Sequence, residues 1–190
     1  VRTLLVKVYK LNAFNYYRDQ LREAGTGIDL DGLVANQEKT FTYDDTPPLR
    51  RVRRTFSQDD FPLLAERGLY VIDFIGNGVN SRALVRKGTL RFLEHTSTAG
   101  HVFTVLDAAH RKAPKAALWL AGRRYEADEA GEIVVPYSTK PGRQPIILLD
   151  GQIAALDHFQ HAAESYALEA GIHVDREALL PRRTAQVALR

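Results

Sequence analysis

Apolar and polar side chains take turns along most of this chain with a period of two. Leu4, Val6 and Val8 alternate with Leu5, Lys7 and Tyr9, the pattern of a half-buried β-strand. Residues 68–75 form a β-branched and aromatic run closed by Gly76-Asn77-Gly78, a turn signal. Residues 81–86 alternate again, and strand-like segments follow at 89–94, 101–106, 116–121, 132–137 and 145–149, each bounded by Gly, Pro, Asp or Lys. Near the end, Tyr166, Leu168, Ala170, Ile172 and Val174 fall on one face, and residues 186–190 read as a further strand. Helix is scarce. The best segment spans 15–24, with Asn15 as cap and Gly25 as stop, and a second short turn is expected over 59–66.

Short strands every 8–12 residues, separated by turn residues, predict an all-β chain. The expected architecture is tandem antiparallel β-sandwiches with little helix. A boundary near Lys87-Gly88 divides it into a first module over 1–88 and a second over 89–150. Residues 151–190 either complete the second module or start a third. Before the boundary lie two long polar stretches, 36–43 and 44–48, read as loops.

Composition narrows the chemistry more than it names it. Among 190 residues, 45% are hydrophobic and 26% charged, the balance of a folded globular chain. There is no cysteine, which removes disulfides, thiolate metal sites and cysteine nucleophiles together. There is no Met either, so a chain opening on Val1 is expected to be a piece of something longer. The net charge is +3, from 26 Lys and Arg against 23 Asp and Glu. That excess is too small to imply a nucleic-acid partner. No apolar run approaches the ~20 residues of a membrane helix.

Each cluster that invites a functional reading also has a structural one. Arg50, Arg51, Arg53 and Arg54 put four guanidiniums within five residues, enough for a polyanion strip. In a strand, however, they would divide between two faces, and Asp44, Asp45, Asp59 and Asp60 could neutralise them. The six histidines are 95, 101, 110, 158, 161 and 173. The spacing of His158 and His161 puts them on opposite faces of a strand. His95 and His101 could approach each other across a hairpin, but no third ligand joins them as zinc requires. The Asp128–Glu132 segment reads as a turn in which Gly131 supplies positive φ, and Asp29 and Asp31 likewise mark a turn. Trp119, the single tryptophan, is expected in the core or in inter-strand packing. No Gly-x-Ser-x-Gly elbow and no Gly-rich phosphate loop occurs. No residue is therefore assigned a catalytic, cofactor-binding or metal-binding role, and no cofactor is expected.

Several segments resemble a known family. Gly68-Leu-Tyr-Val-Ile-Asp-Phe74 is similar to the closing strand of macroglobulin-type domains. Val105-Leu-Asp107, Pro114, Ala117-Leu-Trp-Leu120, Tyr125, Asp128-x-x-Gly131 and Ile133-x-x-Pro-Tyr-Ser138 look like the opening of the next such domain. Glu164-x-Tyr166-x-Leu168 through Arg176-Glu177 resembles the entry strands of another. The chain thus resembles a bacterial alpha-2-macroglobulin-like protein, which implies that its all-β sandwiches are of immunoglobulin-like or macroglobulin-like type. That family's thioester Cys-Gly-Glu-Gln is absent here, so protease trapping is carried over to no residue.

The resemblance implies a non-catalytic structural or interaction module in a larger bacterial protein, periplasmic or extracellular. Its partners would be neighbouring domains of the same chain and possibly another protein, with no membrane span and no nucleic acid. Surface arginines, including Arg123 and Arg124, suit such contacts through bidentate pairing with carboxylates. Two alternatives remain open. One is a carbohydrate- or polyanion-binding module using Trp119 or the arginines at 50–54. The other is a hydrolase with Asp, Glu and His as acid–base groups.

Overall fold

The computed structural model describes residues 1–44, 51–167, 169, 171–174 and 187–189. It is nearly all antiparallel β, as the alternation predicts. Strand β1 (Thr3–Leu11) is central in the first sheet, followed by helix α1 (Ala13–Gln20), β2 (Gln37–Thr42), a short 3-10 turn (Pro62–Ala65), β3 (Gly68–Gly76) and β4 (Val79–Lys87). The sheet order is β2-β1-β3-β4. Both faces of β1 are covered. Val6 and Val8 pack with Phe61, Tyr70 and Ile72 on one side, and Tyr9 packs with Leu30 and Val71 on the other.

The next strands are β5 (Arg91–Ser97), β6 (Gly100–Leu106), β7 (Ala117–Leu120), β8 (Arg123–Glu126), β9 (Ile133–Val135), β10 (Gly142–Asp150) and β11 (Ile153–His161). They form two facing sheets, β5-β6-β9 and β11-β10-β7-β8. Between the sheets lies a core of Leu90, Phe103, Val105, Leu118, Leu120, Ile133, Val135, Ile146, Leu148 and Phe159. Full burial of each large aliphatic or aromatic side chain contributes about 1.5–3 kcal/mol. Strand β11 pairs along its whole length with β10. A separate hairpin of β12 (Ile172–Val174) and β13 (Val187–Leu189) closes the chain.

Alternation decides which face of β10 meets what. Ile146 and Leu148 enter the sandwich core. Ile147 and Leu149 point the other way, onto α1 and Leu69 of β3. The apolar run in β10 is therefore unbroken because both of its faces are buried.

Hairpin chemistry follows the turn residues. Asn77 (φ 52°) and Gly78 (φ 76°) form the two-residue link between β3 and β4, the primed turn that matches strand twist. Gly100 has φ 130°, and a Cβ there would lie 2.2 Å from the Val135 carbonyl oxygen. Only glycine lets β6 begin against the end of β9.

Several boundaries differ from expectation. The helix is capped by Asn12, not Asn15: the Asn12 side chain accepts from the Asn15 amide at 3.0 Å, so the helix starts two residues earlier than expected. It ends at Leu21 in the left-handed region (φ 47°), short of Gly25. The stretch read as a polar loop at 36–43 contains β2, and β8 and β11 are strands the alternation did not reveal. Among the described residues between 166 and 174, only Ile172–Val174 is strand. Leu168 and Ala170, named with them, lie outside the described residues.

Candidate interaction surface

From Arg51 onward, the strip of arginines is not a strand. Residues 51–57 have no regular secondary structure, and Arg51 and Arg53 are exposed. The two-face division expected of a strand therefore does not apply. Arg54 stacks over the Tyr43 ring at 4.3 Å, while Arg50 and Asp45 lie outside the described residues. Two acids matched to these arginines hold other cations instead: Asp44 pairs with Arg2 at 3.2 Å, and Asp60 with Lys39 at 2.7 Å. The Lys39 ammonium, together with the Ser57 amide, holds the Asp60 carboxyl down at about 2.

The histidines do not converge on a metal. His95 faces Val102 across the hairpin and is exposed, whereas His101 pairs with Thr96 and is buried. The pleat sends the two rings to opposite faces. His101 instead ties down a strand end. Its Nδ1 lies 2.6 Å from Glu94 Oε1, and its Nε2 accepts from the Ala162 amide at 3.0 Å. That arrangement fixes the Nδ1–H tautomer. His161 Nε2 donates to the Pro136 carbonyl at 2.8 Å. His158 is exposed on the other face of β11 and His110 sits in a turn with φ 58°. The side chain of His173 is outside the described set. Among the described residues no three His, Asp or Glu side chains gather into a metal-sized cluster.

The carboxylate pairs are turns. The Glu132 amide donates to Asp128 Oδ1 at 2.8 Å, with Gly131 at φ 72°. The Asp31 amide donates to Asp29 Oδ1 at 2.9 Å. Trp119 is half-buried and meets Phe14 of α1 edge-on, ring centroids 6.3 Å apart.

The most distinctive surface lies where α1 meets the second sandwich. Ala13 and Tyr17 are buried against Ala117, Ile147, Leu149 and Ala154. Arg86 of β4 donates to the Tyr17 hydroxyl at 2.9 Å and pairs with Glu23. Burial pushes the Tyr17 hydroxyl up to about 12, with Arg86 opposing the shift and Glu23 adding to it. Beside this packed patch runs a groove of about 300 Å³, lined among others by Lys10, Asn12, Phe14, Lys115, Arg124 and Gln152. Three cations line it and no carboxylate does. Lys10 pairs with Glu66 and Arg124 with Glu126, each at 2.6 Å. Lys115 is exposed and has no ion-pair partner among the described residues. Cations and amides in this arrangement can hold carboxylates, and they supply no paired acid and base.

Sequence reasoning missed this groove. Its signal was available in Leu120-Ala121-Gly122-Arg123, a two-residue hairpin with both central residues at positive φ. Reading that turn pairs Trp119 with Arg124 and sets the cation beside the aromatic patch.

Known proteins give the surface a context. Residues 4–88 match the family model of the AbpF first immunoglobulin-like domain. The whole chain is 38% identical, over 196 residues, to part of Actin-binding protein F from Dictyostelium discoideum. The chain spans only 8% of the length of that relative. A solved structure of an amphioxus IgVJ-C2 molecule is 13% identical, covering 85% of this chain and 89% of that one, at a TM-score of 0.26. That score is too low to bear on the fold. The sequence matches overturn the expected likeness to bacterial alpha-2-macroglobulin, whose low-specificity strand and turn motifs occur in other immunoglobulin-like domains. They also overturn the expected periplasmic or extracellular site, since the relative comes from a eukaryote and is named for binding actin. The likeness of this chain is to part of a much longer actin-binding protein, with an immunoglobulin-like domain matched over residues 4–88, and not to a bacterial envelope protein.

Proposed function

We propose that this chain is a non-catalytic immunoglobulin-like interaction module of a larger actin-binding protein, working inside the cell and contributing a contact to the actin filament. The observation that carries the reading is the 38% identity that runs through the whole chain to Actin-binding protein F. The junction surface supports it, because it is cationic and concave and offers groups for holding a partner. In this reading residues 1–88 form one module, 89–161 a second, and β12 and β13 begin a third. The apolar packing of α1 between the first two fixes their faces relative to each other, which a binding surface composed from both requires.

Co-sedimentation of the chain with F-actin tests the proposal. The pelleted fraction should rise saturably with actin and fall as salt increases. A chain that stays in the supernatant at every actin concentration in low salt would overturn it.

A further inference from the structure

We propose that the groove between α1 and the second sandwich docks a carboxylate-rich segment of a protein partner. The proposal deepens the interaction reading above by naming the surface and the chemistry it recognises, and it does not require that the partner be actin. Three observations carry it.

The first is charge. Lys10, Lys115 and Arg124 reach the groove from β1, the loop before β7 and β8, and no Asp or Glu lines it. Lys10 and Arg124 already hold Glu66 and Glu126 at the margins. Lys115 has no such partner among the described residues, so this cation is left for an incoming acid. Cations converging on one concavity raise the local concentration of anions.

The second observation is shape. At about 300 Å³ the groove is at the lower limit of small-molecule pockets. It is open, and suits one or two side chains of an extended segment laid across it. Asn12 and Gln152 add amide groups at the rim, able to bond a peptide backbone.

The third is rigidity. The floor is the buried packing of Ala13, Leu149 and Ala154, so the cations project from a fixed base and lose little freedom on binding.

The molecule carries its own reporter. Trp119, the single tryptophan, is the cross-strand neighbour of Arg124 and touches Phe14, two groove residues, without lining the groove itself. Titration with a short polyglutamate peptide should therefore change tryptophan fluorescence saturably, and added salt should weaken the binding. Lys115→Glu with Arg124→Glu should weaken it by about tenfold or more. Arg51→Glu with Arg53→Glu, which reverses as much charge elsewhere, should change it less than about twofold. Circular dichroism would verify that both variants stay folded.

Absence of binding, or equal weakening by the two variants, would overturn the proposal. Equally tight binding of heparin through the same two residues would also overturn it, since the site would then read negative charge and not polypeptide. Loss of polyglutamate binding with F-actin co-sedimentation retained would remove this groove and leave the broader interaction reading intact.

Discussion

Gly88 and Ile153 meet where the two β units join: a Cβ placed on Gly88 would lie 2.8 Å from Ile153 Cδ1. Gly88 also has φ 96°, a conformation that a side chain resists. Ile153 opens β11 and belongs to the core of the second sandwich. The chain therefore crosses from one unit to the next through a residue that must be small. Gly88→Ala should cost about 1–2 kcal/mol through backbone strain and a shifted Ile153. Thermal unfolding should show a midpoint lowered by roughly 2–8 °C, and an unchanged midpoint would mean that the junction is slack.

Gly100 predicts a heavier loss. The obstacle there is the Val135 carbonyl oxygen at 2.2 Å, which is backbone and cannot swing aside as the tip of Ile153 can. Gly100→Ala should destabilise by about 3 kcal/mol, and denaturant titration of the two alanine variants should rank Gly100 above Gly88.

Asp73 and Arg82 face each other across β3 and β4. The Asp73 carboxylate is buried, with Arg82 Nε at 3.5 Å and the Asn80 side-chain amide at 3.4 Å. Arg82 also donates to the Ile28 carbonyl at 2.8 Å, tying the loop after α1 to the sheet. Arg82→Ala strands a buried charge and should cost about 3 kcal/mol. Adding Asp73→Asn should restore part of that loss, which a double-mutant cycle would read.

Two groups give pH dependence of opposite sign. Asp60 is held at about 2 by Lys39 first and then by the Ser57 amide, below its ordinary value near 4. Its contribution to stability is present above that ordinary value and is lost as pH falls towards 2, because the unfolded chain takes up the proton first. Lys39→Ala should move the Asp60 carboxyl resonance titration back towards the ordinary value.

Tyr17 is raised to about 12, chiefly by burial. The folded chain keeps its proton where the unfolded chain loses it, so stability should fall as pH rises from 10 to 12. Tyr17→Phe should remove that part of the alkaline loss, as denaturation followed against pH would show.

The fold was more legible in the sequence than the surface was. Strands β1, β3 and β6 combine β-branched residues with turn residues at their ends, and the Asn77-Gly78 turn specifies its hairpin outright. Strand β2 was hidden because its sequence, Gln-Glu-Lys-Thr-Phe-Thr, lies at a sheet edge where Phe41 alone packs inward. Strand β11 was hidden for the opposite reason: Ile153, Ala154 and Ala155 are buried on both faces, so alternation is lost. Asn12 and Asn15 are equally good caps by residue type, and only the observed hydrogen bond separates them. The groove joins Lys10 to Lys115 and Arg124 across more than a hundred residues, a proximity that no local pattern can express.

The most direct measurement is zero-length carbodiimide cross-linking of the chain to F-actin, followed by mass spectrometry of the linked peptides. It joins lysines only to carboxylates already in contact. The account predicts links through Lys115, with Lys10 as a weaker second. A chain that does not link to the filament would contradict the actin reading, and one that links only through lysines far from the groove, such as Lys140, would take the groove out of that contact.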